Sequence, residues 1–240
     1  MNRFPRQFSE LLSKQGRAVL EGRHAKSGSL ATGRSRFVSA QGLFDAKKAR
    51  GVCELLTRSL GDVLMPMEQA IPRSATWGMK VAYREKLPKT VRVSTAMLDH
   101  DDSKALPRAK EIGLIAMLRS SSFHAFAEAL SGYPLRKQWG LQALCYRPGD
   151  YSGPHNDHHP DEPLGRDGYT DLHLTFCESG VEHQFIVYEK NAHLSEIESI
   201  ATRGGVTCYR LPFWHYTTPM VGKPNARRWV LLGTFLDRWS

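Results

Sequence analysis

The sequence predicts a mainly β protein with packing helices (α+β), its C-terminal part closing into a jelly roll, or double-stranded β-helix. Three observations predict it. Past residue 138 the chain breaks into short strand-like runs near 139–147, 170–177, 183–189, 204–210, 213–218 and 227–236, separated by Gly, Pro and Asp at barrel-like intervals. Before that point, apolar residues recur at helical spacing. The composition, 41% hydrophobic and 24% charged over 240 residues, suits a folded core and excludes a disordered or collagen-like chain.

Residues 1–36 form a basic segment, with Arg3, Arg6, Lys14, Arg17, Arg23, Lys26, Arg34 and Arg36 against Glu10 and Glu21. They read as a loosely ordered, solvated helix and loop; an organelle transit peptide has similar composition. With no apolar run of membrane-spanning length, the expectation is a soluble, cytoplasmic protein. The net charge of +9 reports on non-specific attraction and makes a nucleic-acid partner only one option among several.

Residues 37–137 read as a helical support region that forms one compact unit with the strands after it. Leu43, Phe44, Val52, Leu55, Leu56 and Leu60 fall near helical spacing with Gly61 as a stop, and Ala109–Leu118 and Phe123–Leu130 repeat the pattern up to Gly132. Between them, Thr76–Tyr83 and Thr90–Met97 carry β-branched and aromatic residues and predict short strands or a loop-rich insert. The acidic stretch Asp99–Lys104 reads as a solvated capping loop in preference to a metal site. Cys53, Cys145, Cys177 and Cys208 form no C-x-x-C pair, so they read as buried, reduced thiols.

Residues 138–240 carry the chemistry. In Gly153-Pro154-His155-Asn156-Asp157 an imidazole and a carboxylate stand two apart, and an extended segment projects both to one side. Alone, H-x-D is equally a polar turn with a surface histidine. Here Tyr146-Arg147-Pro148-Gly149-Asp150-Tyr151 precedes it, so a Pro-Gly turn delivers the pair at the start of the next strand. A third ligand has to come from a distant strand, and His215, in Phe213-Trp214-His215-Tyr216-Thr217-Thr218-Pro219, is the candidate. Two histidines and one carboxylate on one face hold Fe(II) with positions left open for reactants. On the run Asp171-Leu172-His173-Leu174-Thr175-Phe176, polar and apolar residues alternate, so Asp171, His173 and Thr175 share a face that looks either into the site or out to solvent.

Taken in order, Cys145 to Asp150, His155 to Asp157, Gly204-Gly205, His215 to Pro219 and Arg227-Arg228-Trp229-Val230-Leu231-Leu232 resemble the 2-oxoglutarate/Fe(II) oxygenases, particularly their prolyl-hydroxylase-like branch, over residues 138–236. The resemblance implies a cupin-like core with iron on His155, Asp157 and His215. It further implies 2-oxoglutarate held by Arg228 through charge-assisted bonds, with Tyr146, Thr175 and His173 as further contacts. Val230 stands where a hydroxyl partner is usual and the Val221–Ala226 connection is longer than usual, which leaves Arg227 and Lys223 as alternative anchors.

The implied activity is a dioxygenase that uses O2, with ascorbate as an accessory, and hydroxylates a small molecule or peptide with release of succinate and CO2. Asp157 stands where related halogenases carry a small residue, which points to hydroxylation, or to demethylation through a hydroxylated intermediate. The run His158–Tyr169 holds Asp161, Glu162 and Asp167 against Arg166, which suggests a cationic substrate. The alternatives are a non-catalytic cupin-like metal- or ligand-binding module, a nucleic-acid demethylase of the same superfamily, and a cupin enzyme that uses iron without 2-oxoglutarate. The last strand lacks the Arg-x-Asn-x-Thr-x-Arg pattern of that demethylase branch. The oligomeric state is not legible.

Overall fold

A computed structural model of the chain describes residues 1–33, 36–71, 89–157, 169–191 and 193–237. Thr76–Tyr83 and the acidic residues Asp161, Glu162 and Asp167 with Arg166 lie outside the described residues. The strands are β1 (Phe37–Gln41), β2 (Met65–Ala70), β3 (Thr90–Met97), β4 (Leu135–Tyr146), β5 (Tyr151–His155), β6 (Tyr169–Cys177), β7 (Val181–His183), β8 (Phe185–Lys190), β9 (His193–Ser199), β10 (Gly205–Leu211), β11 (His215–Thr217), β12 (Val221–Gly222) and β13 (Arg228–Asp237). The helices are α1 (Lys14–Leu20), α2 (Ser29–Thr32), α3 (Ala46–Leu60), α4 (Ala105–Glu111), α5 (Leu114–Leu118) and α6 (Ser121–Ser131).

One antiparallel sheet runs β1-β10-β6-β13-β4-β3-β5-β11-β8-β9, with β2 on β3, and a small ladder joins β12 to β7. It curls into the predicted jelly roll because its central strands have two different faces. Leu172, Leu174 and Phe176 of β6 and Trp229, Leu231 and Phe235 of β13 point outward into the main apolar core, which they share with Val52, Leu55 and Leu56 of α3 and Phe123 and Phe126 of α6. Asp171 and His173 of β6 and Arg228, Val230 and Leu232 of β13 point the other way, into a cavity. Burial of one face under helices and of the other inside the curl is what a period of two residues permits.

Several expectations are corrected. The N-terminal segment is not a solvated flank: Phe4, Phe8, Leu11, Leu12, Val19 and Leu30 are all buried in the main core. Its basic residues instead sit between these anchors. The run Ala109–Leu118 is not one helix, since the chain breaks at Gly113, whose φ of +79° is left-handed. The predicted strand 183–189 is interrupted at Gln184, leaving β7 and β8. Four strands escaped the pattern, the two-residue β12 among them. β1 and β9 are edge strands, and β9 is too charged to look like one; β2, hydrogen-bonded only to β3, carries Pro66, which edge positions tolerate. The acidic loop is structural in part, for Asp99 Oδ2 accepts a hydrogen bond from Leu141 N at 3.0 Å.

Candidate metal centre

β4 ends in the predicted turn. Gly149 takes φ +87°, and Asp150 Oδ2 accepts from Arg147 N at 2.8 Å, closing the link to β5. β5 does not start at His155, as the motif suggested, but ends there. Asp157 follows in the left-handed region at φ +50°, so a turn after the strand, not strand alternation, swings its carboxylate back over the histidine.

His215 opens β11 and pairs in antiparallel register with His155 itself. The two rings lie 4.3 Å apart between centroids. Asp157 Oδ1 is 3.3 Å from His155 Nε2, and Oδ2 is 3.8 Å from His215 Nε2. One ligand atom from each of the three lies within 4.8 Å of the others, a spacing that can hold a metal ion.

Both imidazoles are oriented in the same way. His155 Nδ1 lies 2.6 Å from the Gly153 carbonyl and His215 Nδ1 lies 2.8 Å from the Phe213 carbonyl. A carbonyl can only accept, so each Nδ1 donates its proton there and each Nε2 is the ring atom turned toward Asp157. Burial, together with the neighbouring His155, pushes the His215 pKa down to about 3, which keeps it neutral. Two imidazoles and a carboxylate suit a divalent first-row metal.

The cavity that holds these groups measures about 500 Å³. Arg228 enters it, buried, with Nε donating to the Ile200 carbonyl at 3.1 Å, Nη1 to Gln184 Oε1 at 3.2 Å and Nη2 to Thr175 Oγ1 at 3.4 Å. Its guanidinium lies 5.0 Å from the Tyr146 ring centroid and shares a hydrogen bond with that phenol. Among the described residues no carboxylate pairs with it, and burial lowers its pKa. A buried cation held only by neutral groups is completed by an anion.

The competing basic residues are elsewhere: Arg227 pairs with Glu178 at 3.7 Å on the outside of β13, and Lys223 lies on a separate cleft beside α3. The β6 face that carries Asp171, His173 and Thr175 looks inward. Thr175 touches Arg228, whereas His173 meets the Tyr209 hydroxyl at 2.9 Å, further along the strand.

Sequence reasoning missed Gln184 and Tyr209. Gln184 is fully buried, and its amide donates to the Asp150 and Thr218 carbonyls at 3.3 and 3.0 Å while its oxygen receives Arg228. Nothing in His183-Gln184-Phe185 marks it, because its role comes from strands that meet only after folding.

No protein-family model matches the sequence, and no curated protein matches it. Solved structures do. A 2OG-Fe(II) oxygenase family oxidoreductase from Burkholderia pseudomallei is 13% identical, with a TM-score of 0.55 over 92% of this chain and 89% of that one. A prolyl-4-hydroxylase from Pseudomonas putida is 15% identical, with a TM-score of 0.50 over 93% and 100%. The α-ketoglutarate-dependent epimerase SnoN of nogalamycin biosynthesis is 16% identical, with a TM-score of 0.50 over 92% and 84%. The chain therefore has the fold of the 2-oxoglutarate/Fe(II) oxygenases.

Proposed function

We propose that this protein is an Fe(II)- and 2-oxoglutarate-dependent oxygenase that hydroxylates a small molecule or a peptide side chain. The observation that carries the reading is one cavity containing both a two-histidine, one-carboxylate cluster and a buried arginine with no acidic partner among the described residues. Neither half alone specifies this chemistry; together they match a metal and a dicarboxylate.

His155, Asp157 and His215 hold the iron, with Nε2 of each imidazole as donor. Bound there with 2-oxoglutarate, iron(II) supplies activation of O2 and oxidation of a substrate C–H bond. Arg228 binds the far carboxylate of 2-oxoglutarate, steadied by Gln184, Thr175 and the Ile200 carbonyl. Tyr146 adds a phenol hydrogen bond beside it; its pKa is raised by burial, so it keeps the proton it donates. Val230 and Leu144, which line the cavity near Arg228, exclude water from this end.

The test is direct. Anaerobic addition of Fe(II) and 2-oxoglutarate should give a weak visible charge-transfer absorption, aerobic incubation should release succinate, and substrate mixtures should show a mass gain of one oxygen that depends on 2-oxoglutarate. A protein that binds iron but gives neither band nor succinate would be a non-catalytic binding module with the same fold.

A further inference from the structure

The cavity is electrically lopsided. Arg228 stands at one end. On the β13–β6 ladder Arg228 faces Cys177 and Thr234 faces Asp171, so Asp171 lies six residues further along, on the order of 20 Å at about 3.3 Å per residue. Asp171 lines the same cavity, with only 6% of its side chain exposed. Its Oδ1 has no hydrogen-bond partner among the described residues. Its Oδ2 has only His173 Nε2 at 3.8 Å, beyond hydrogen-bond reach, and that nitrogen is engaged by the Tyr209 hydroxyl at 2.9 Å.

The surroundings leave room for a ligand at this end. Asp171 is flanked in register by Tyr209 on β10 and Thr234 on β13. Across from Thr234 on β4 stands Gly140, where an added Cβ would meet nothing closer than 3.7 Å. Asp99 Oδ2 lies 4.0 Å from that Cβ position and brings a second negative charge. Among the described residues its Oδ1 is also buried without a hydrogen-bond partner, with His100 Nε2 at 3.9 Å. An uncompensated buried carboxylate is strongly unfavourable, and a cation removes the penalty. Tyr209, the register partner of Asp171, packs against His215 with ring centroids 5.0 Å apart, so it links the Asp171 end of the cavity to the metal cluster.

We propose that Asp171 is the substrate anchor, accepting a charged nitrogen, an alkylammonium or guanidinium group, at Oδ1. The role of the bound molecule as oxidation substrate rests on the oxygenase reading; the cation site itself does not. The guanidinium end then takes the anionic cosubstrate and the carboxylate end the cationic substrate, which prevents either from binding in the other's place.

The site is tested on the full chain by thermal shift and calorimetry with N-acetyl-lysine amide, agmatine and, as a neutral isostere, N-acetyl-norleucine amide. The two cations should raise the melting temperature of the wild type saturably and the neutral amide should not. Asp171→Asn should weaken cation binding by roughly thirtyfold or more. The ligand-free variants Asp171→Asn and Asp171→Leu should melt at or above the wild-type temperature, because each removes an unpaired buried charge.

No cation response in the wild type, an equal response in Asp171→Asn, or both variants melting well below the wild type would overturn the proposal. Iron and 2-oxoglutarate binding by the wild type is read separately from its visible absorption. Loss of that band with the cation response intact overturns the oxygenase reading alone, and the converse overturns the cation site alone.

Discussion

Gln184 Oε1 accepts a hydrogen bond from Arg228 Nη1 at 3.2 Å, and both residues are buried. The amide nitrogen of Gln184 is fixed at the same time by the Asp150 and Thr218 carbonyls, so the position of the guanidinium is tied to the turn after β4 and to the end of β11. Gln184→Leu leaves Arg228 a partner short and should raise the KM for 2-oxoglutarate about tenfold, with kcat changed far less. Gln184→Glu supplies Arg228 with an internal carboxylate. It should weaken 2-oxoglutarate further while leaving iron binding intact, which titration calorimetry would separate.

Arg228 itself should be the larger effect. Arg228→Met removes the only buried guanidinium of the described cavity lining and should cost about 3 kcal/mol of 2-oxoglutarate binding, on the order of a hundredfold in KM. Arg228→Lys should recover only part of this, because an ammonium cannot reproduce the forked contacts to Ile200, Gln184 and Thr175. Arg227→Met should leave the KM near wild type, since Arg227 pairs with Glu178 outside the cavity.

Metal occupancy should be visible as stability. Ferrous ion under anaerobic conditions, or Mn(II) in air, should raise the melting temperature, and a chelator should reverse the shift. Asp157→Ala and His215→Ala should abolish the metal-dependent shift. Asp157→Ala removes a carboxylate from a left-handed position at φ +50°, so a glycine variant, which tolerates that conformation, serves as its backbone control.

The buried thiols predict a pH dependence. Burial pushes Cys53 and Cys145 up to about 12 and Cys177 up to about 11. At pH 8 the folded thiolate fraction of these cysteines is about one in a thousand or less, so a thiol reagent should label them only as fast as the chain unfolds. Below the ordinary thiol pKa of 9.0 both states are protonated and the full stability is present. Above it the unfolded thiols ionise and the folded ones do not, so these cysteines lower stability progressively as pH rises from about 9 toward 11–12. Denaturant midpoints measured across that window would show the decline, and Cys→Ala variants would flatten it.

The sequence alone determined the local chemistry: the candidate donor groups at His155, Asp157 and His215, the Pro-Gly turn before them, the alternation along β6 and the helices ending at Gly61 and Gly132. These depend on residue type and on a repeat of two or 3.6 residues, which a linear string displays. What it left open was settled by contacts distant along the chain. Which face of β6 looks inward, and which of the two adjacent arginines enters the cavity, follow from α3 and α6 covering the opposite side. Gln184 gains its role from Arg228, 44 positions away. Asp157 reaches the histidines through a left-handed turn that strand periodicity does not encode. The N-terminal segment looked solvated because its charges outnumber its apolar anchors, yet burial is decided by where Phe4, Phe8 and Leu11 land, not by the average around them.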